Sequence, residues 1–314
     1  MTYVERPSYE PALSVHDRFF VIGSCFADAV SERMRMSGIE TCSNPFGTTY
    51  NPLSVCKVIE RLAKNELFTK EELVCGGGLY HSFMHHGSFS RPDAQTTLDT
   101  INGSLSSGAD ALKRSDVVII TLGTAYVYEL VSSSEVVNNC HKLPQGLFRR
   151  RMLGMDEIVD NLRRTLLTYL CGKRVLITVS PIRHRGDGLH GNTVSKSTLH
   201  VAVHRLMAEL NSQHNEVEVL YFPAYEILLD ELRDYRWYQE DLCHPSSTAA
   251  DYIWDCFRES AFSKNDISAM DDVMRYRKLC AHRAIADTPE NRAMLEEKKQ
   301  RLRKEIETKY SLTL

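Results

Sequence analysis

Ser24 stands between an apolar run, Phe19-Phe20-Val21-Ile22-Gly23, and the start of helical spacing at Cys25-Phe26-Ala27. A strand-to-helix turn of that kind lifts a side chain off a sheet edge and aims the following backbone N–H groups at one spot. A hydroxyl held there can attack an ester, and the amides can hold the negative charge that develops. More than two hundred positions later, Asp241-Leu242-Cys243-His244 places an acid and an imidazole three residues apart. A serine hydroxyl needs a base, and histidine ionises near neutrality. An acid beside the ring fixes its tautomer and stabilises the imidazolium. The expected catalytic set is therefore Ser24, His244 and Asp241. Cys25 is the competing nucleophile, because a thiol at a helix N-terminus ionises more easily. Consecutive side chains diverge, so only one of the two can face the base. The expectation is Ser24, with Cys25 packed into the core.

These residues need a scaffold that joins distant segments. Arg18–Ile22, Asp116–Leu122, Arg174–Val179 and Val217–Phe222 read as apolar strands, with Ile39–Cys42 a shorter one. Helical spacing follows at Phe26, Ala29, Val30 and Met34, ending at Gly38, and again from Ser54, over Asp156–Leu170 and from Asn192 to Gln213. Strands alternating with helices predict an α/β fold, a three-layer α/β/α sandwich around a central, mostly parallel sheet. Ligands of such sheets sit at the carboxyl ends of the strands. Ser24, Gly123 and Ser180 each follow a strand and would share that edge. Cys75 to Gly108 is rich in Gly, Ser and His and reads as long loops with short elements. The expected organisation is a catalytic domain over residues 1–262 and a helical extension over 263–314. The charged stretch Glu296–Glu305 reads as a solvated helix packed by a narrow stripe, or as a self-association arm.

Of 314 residues, 43% are hydrophobic and 25% charged, and the net charge of -3 gives no reason to expect nucleic acid or an acidic membrane as partner. Nine cysteines, odd in number and without a CxxC pair, read as reduced thiols. The opening residues show no signal-peptide pattern, and no apolar run reaches bilayer length. The expectation is a cytoplasmic protein. No cofactor is expected. Gly76-Gly77-Gly78 lacks the Gly-Lys-Ser/Thr of a phosphate loop, and the histidines at 81, 85, 86, 200 and 204 have neither HExxH nor finger spacing, so no metal is assigned.

Several further motifs extend the pattern. Gly23-Ser24-Cys25-Phe26-Ala27, Asn44-Pro45-Phe46-Gly47, the His81-to-Ser90 segment, Gly123-Thr124-Ala125-Tyr126-Val127-Tyr128, Asn139-Cys140-His141-Lys142, Ser180-Pro181-Ile182-Arg183-His184 and Asp241-to-Ser246 occur in that order over roughly residues 18 to 258. Together they resemble the GSCFA family, a branch of the SGNH/GDSL hydrolase superfamily. The resemblance implies ester chemistry, with Ser24 as nucleophile and Asp241 and His244 as acid and base. It implies an oxyanion hole from the amides of Ser24 and Gly47. The superfamily's third block normally carries an Asn donor, and Gly123-Thr124-Ala125-Tyr126 lacks it, so Asn44 or Thr124 is the expected replacement. Loss of one donor costs ~3 kcal/mol of transition-state stabilisation. His85, Tyr126, His141, Arg183 and His184 are the expected substrate contacts. The implied activity is that of a serine esterase or acyltransferase on small acyl esters, with O-acylated carbohydrate the preferred class. The alternative is a carbohydrate- or metabolite-binding protein on the same scaffold, without turnover.

Overall fold

Residues that are apolar on every face along a strand can be buried only between two helical layers, and the computed structural model has that form. It describes residues 2–212, 217–281 and 288–314. In chain order the elements are β1 (Phe19–Gly23), α1 (Cys25–Met36), β2 (Thr41–Ser43), α2 (Pro52–Lys64), β3 (Leu73–Gly76), β4 (Leu79–Ser82), α3 (Ala94–Arg114), β5 (Val117–Leu122) and β6 (Tyr126–Leu130). Then follow β7 (Val136–Val137), β8 (Phe148–Met152), α4 (Met155–Tyr169), β9 (Arg174–Val179), α5 (Gly188–Asn211) and β10 (Glu218–Tyr221). The chain closes with α6 (Ala224–Glu226), α7 (Ser247–Ala261), α8 (Lys264–Ala281) and α9 (Pro289–Tyr310).

The central sheet has strand order β10-β9-β5-β1-β2, with every pair parallel. All residues of β1 and β5 are buried. One apolar layer, with α2, α3, α4 and α5, covers the face of Phe20, Ile22, Val118 and Ile120. The other, with α1 and α7, covers Phe19, Val21, Val117 and Ile119. The α/β/α sandwich expected from the strand and helix pattern is the observed architecture. Register then sets the site. Gly23 pairs with Thr121, and Thr121 with Thr178, so β1, β5 and β9 end side by side. The sheet order reverses direction between β1 and β5, where such sheets open a crevice.

A second sheet, β7-β6-β8, is antiparallel and stands beyond the end of β5. Glu129 on β6 ties it together, accepting from Arg149 at 2.7 Å and Arg151 at 2.6 Å. The helices after residue 263 bury Met270, Val273, Ile306 and Tyr310 in the same apolar layer as Phe19. The polar face of α9 carries ion pairs such as Arg303–Glu307 at 2.9 Å.

Two local expectations need correction, and one falls partly outside the described residues. Residues 75–108 are not mainly loop: α3 runs 21 residues, capped by the Asp93 carboxylate, which accepts from Thr96 N–H at 2.7 Å. Its buried stripe is Thr97, Ile101, Leu105, Gly108 and Leu112, and the Ser and Thr on its other faces disguised the period. The helix expected from Ser54 begins at Pro52, with Asn51 as the cap. Helix α5 is described to Asn211, and Gln213 lies outside the described residues. No helix among the described residues is long and apolar enough to cross a membrane.

Candidate active site

The backbone turn after β1 fixes the two rival nucleophiles. Gly23 has φ +140°, a conformation open to glycine, and a Cβ there would lie 2.1 Å from the Thr121 carbonyl oxygen. Ser24 follows as the N-cap of α1, its Oγ accepting from Phe26 N–H at 3.3 Å. Capping turns the serine back into its own helix. Its hydroxyl donates to Ser180 Oγ at 2.9 Å and sits 3.2 Å from Thr121 Oγ1. Ser24 is 1% exposed. The expected nucleophile thus joins the ends of β1, β5 and β9 from behind and does not reach the imidazole.

Cys25, the first residue of α1, points the other way. Its Sγ is 3.4 Å from His244 Nε2. His244 Nδ1 is 2.5 Å from Asp241 Oδ2. Asp241 also accepts at Oδ1 from the N–H groups of Cys243 (2.8 Å) and His244 (3.0 Å). Those two amides and the His244 ring hold its carboxyl down to about 2. An ionised carboxylate on Nδ1 makes Nδ1 the protonated nitrogen, which leaves the Nε2 lone pair facing sulfur. The loop is anchored at both ends: Gln239 N–H donates to His244 O at 2.8 Å, and Ser246, the N-cap of α7, donates its N–H to Trp237 O at 2.8 Å.

Burial pushes the Cys25 thiol up, against the pull of the Cys25 and Phe26 amides at the helix start. The sulfur therefore rests as a thiol and needs His244 as a base, rather than standing as a free thiolate.

The expected oxyanion donors are already committed elsewhere. Ser24 N–H donates to Thr121 O at 3.1 Å and Thr121 Oγ1 at 3.0 Å. Gly47 N–H closes a turn onto Asn44 O at 2.7 Å, and its missing Cβ makes room for His86, whose Cβ would be 2.2 Å away. Asn44 gives its side-chain amide to Asp28 at 2.9 Å and takes Gly23 N–H at 2.9 Å. Thr124 N–H donates to Tyr50 O at 3.0 Å, and its hydroxyl lies 3.0 Å from Ser195 Oγ. Two groups near the sulfur keep a hydrogen to give. One is the Cys25 N–H, at the first position of α1, where a helix amide has no intrahelical acceptor. The other is the Tyr50 hydroxyl, which accepts from Thr48 Oγ1 at 3.2 Å and is held protonated chiefly by burial.

Cys25, Tyr50 and His244 line a cleft of 1120 Å³, with Tyr126, Arg183 and His184 on its walls. Tyr126 lies under the Arg150 guanidinium, 3.9 Å from ring to charge. Arg183 stacks on Tyr238 at 4.2 Å. His184 packs against Gly123, and burial lowers its ring to about 4, so it stands neutral. The two other expected contacts are elsewhere. His85 is fully buried among Phe46, Phe68 and Phe89, and burial pulls it to about 3. Its neighbour His86 lines the cleft instead. His141 stacks on His81 at 4.5 Å and bonds Ser82 O at 2.8 Å, while Cys140 and Lys142 on either side face the cleft. Among the described residues, no three His, Cys, Asp or Glu side chains converge as metal ligands.

Motifs from six separate segments thus meet at one sheet edge. The sequence model of the GSCFA family matches residues 18–257. The chain belongs to the GSCFA family. Among curated proteins, none matches this GSCFA chain. Among solved structures, it is similar to a carbohydrate esterase family 3 protein from Talaromyces cellulolyticus. Identity is 9% and the TM-score 0.37, over 81% of this chain and 98% of that one.

Lys196 has no precedent in the sequence reading. It projects from α5 beneath the strand ends, fully buried, with Nζ 2.6 Å from both Gly123 O and Ser180 O. Its signal was a single lysine amid the Ser, Thr and His of a helix whose apolar stripe is weak. Burial without a contacting carboxylate lowers it to about 7. An unfolded lysine ionises near 10.4. Between those values the unfolded chain holds a proton that the native one lacks, so this group makes stability rise with pH from about 7 to about 10. Below that window both states are protonated and the full cost of burying the ammonium is present. Lys196→Met is expected to flatten this part of the curve, measured by urea unfolding at pH 7 and 9.5. An unchanged slope would contradict it.

Proposed function

We propose that this GSCFA chain is a cysteine-dependent acyl-transfer enzyme, an esterase or acyltransferase, in which Cys25 replaces Ser24 as nucleophile. The observation that carries it is the unbroken line Cys25 Sγ, His244, Asp241, at 3.4 and 2.5 Å, in the wall of the cleft. Sulfur attacks the acyl carbon as its proton moves to His244 Nε2. Asp241 keeps Nδ1 protonated and offsets the imidazolium charge. The oxyanion of the tetrahedral intermediate takes hydrogen bonds from Cys25 N–H and the Tyr50 hydroxyl. When the intermediate collapses, the bond to the leaving oxygen breaks and His244 Nε2–H protonates that oxygen, leaving a thioester on Cys25. Water or an acceptor hydroxyl then gives its proton to His244 and attacks the thioester. Collapse releases the acid or new ester, and the Cys25 sulfur takes back the proton. Small acyl groups on a polar carrier suit a cleft lined by His, Arg, Asn and Tyr, and carbohydrate esters belong to that class.

The base supplies about 10² to 10⁴ of the rate in such chemistry. His244→Ala is expected to lower hydrolysis of short-chain aryl esters and thioesters by that factor. Equal rates in wild type and variant would end this reading.

A further inference from the structure

Charge in the cleft is not balanced. Its ionised lining is Lys142, Arg150, Arg183 and Arg185 against Asp187 and Asp241. Arg150 pairs with Asp187, which joins β8 to the loop after β9. Asp241 is held by His244. Among the described residues, no carboxylate lies within ion-pair distance of Lys142, Arg183 or Arg185.

Nor are the three scattered. Arg183 and Arg185 come from the loop that also carries His184. Arg183, which lines both the cleft and a smaller adjoining pocket, has its guanidinium over Tyr238 at 4.2 Å, and Arg185 donates to the Asp241 carbonyl at 3.3 Å, beside the base. Lys142 lies on the segment before β8, in the same lining. A stacked guanidinium loses little freedom when it binds, and its fork fits an oxygen anion. Like charges around one opening repel, and a bound anion relieves that repulsion.

We propose that the substrate carries an anionic oxygen group, a carboxylate or phosphate, that Arg183 and Arg185 hold while its acyl carbon lies at Cys25. This deepens the reading of Cys25 as nucleophile and rests on it. It makes the natural substrate a charged acyl ester or thioester rather than a neutral one.

Alkylation separates the charge from the catalysis. Wild type is treated with iodoacetate and, separately, iodoacetamide, and the rate at Cys25 is followed by peptide mass spectrometry. The iodoacetate-to-iodoacetamide ratio is compared with that of N-acetylcysteinamide. The ratio cancels any change in the reactivity of the thiol itself. It is expected to be about five-fold higher at Cys25, and to fall to the small-thiol value in the joint Arg183→Gln, Arg185→Gln variant. Lys142→Gln, an exposed side chain, provides a second, smaller drop. A wild-type ratio equal to that of the small thiol would overturn the proposal. If Cys25 reacts with neither reagent, its role as nucleophile falls, and calorimetry of the Cys25→Ala protein decides the anion alone. Adipate or butyl phosphate should then bind and adipamide should not, the better of the first two naming the anion. Equal binding of all three, or of none, would overturn it.

Discussion

Cys25→Ala is expected to abolish acyl transfer, by about 10³-fold or more, whereas Ser24→Ala keeps it within about ten-fold. The contrast follows from two adjacent side chains with opposite duties. The Cys25 sulfur is 3.4 Å from the base. The Ser24 hydroxyl is buried against Ser180 and Thr121 and caps α1. Removing the serine therefore costs stability, about 1–3 kcal/mol from the lost cap and the lost buried hydrogen bond to Ser180. Chemical denaturation reads that loss, and turnover of aryl esters and thioesters reads the other. Cys25→Ser should also be severely impaired, because a hydroxyl is a poorer nucleophile against a base tuned to a thiol. If Ser24→Ala lost activity as fully as Cys25→Ala while remaining folded, the assignment of roles would be wrong.

Gly23→Ala is expected to be the most damaging substitution for the fold, by about 3 kcal/mol or more. The added Cβ would meet the Thr121 carbonyl oxygen at 2.1 Å and the Thr121 side-chain oxygen at 2.5 Å. That carbonyl accepts Ser24 N–H, so it cannot retreat without opening the β1–β5 junction. The positive φ adds strain of its own. Gly87→Ala is the control, since nothing lies within 4 Å of its added Cβ and its φ is ordinary. Thermal unfolding of the two variants should differ by many degrees. Matching transitions would contradict the account of the turn.

The strands that position the site were legible because burial on both faces leaves unbroken apolar runs, as in Val117–Leu122 and Arg174–Val179. The DxxH loop was legible because its chemistry is local: Asp241 folds back on the next three residues through its own hydrogen bonds. Which of Ser24 and Cys25 faces that loop was not, since both follow the same strand and helical spacing cannot tell them apart. One signal was available. Serine is among the best helix caps, and a cap is turned away from whatever lies ahead of the helix. Histidines 85 and 86 posed the same problem of adjacent residues, and Phe46 claimed the first for the core. Helix α3 stayed hidden behind its Ser, Thr and Gly content. Gly108 there permits close packing, because a Cβ would lie 2.7 Å from Pro45 Cβ.

The most direct measurement is the address of the acyl group. Wild type and His244→Ala are mixed with a short-chain aryl ester, quenched in acid within the first turnover, digested and mapped by mass spectrometry. The acyl mass is predicted on Cys25 in wild type and strongly reduced in the variant. Acyl mass on Ser24, or on neither residue while product is released, would contradict it.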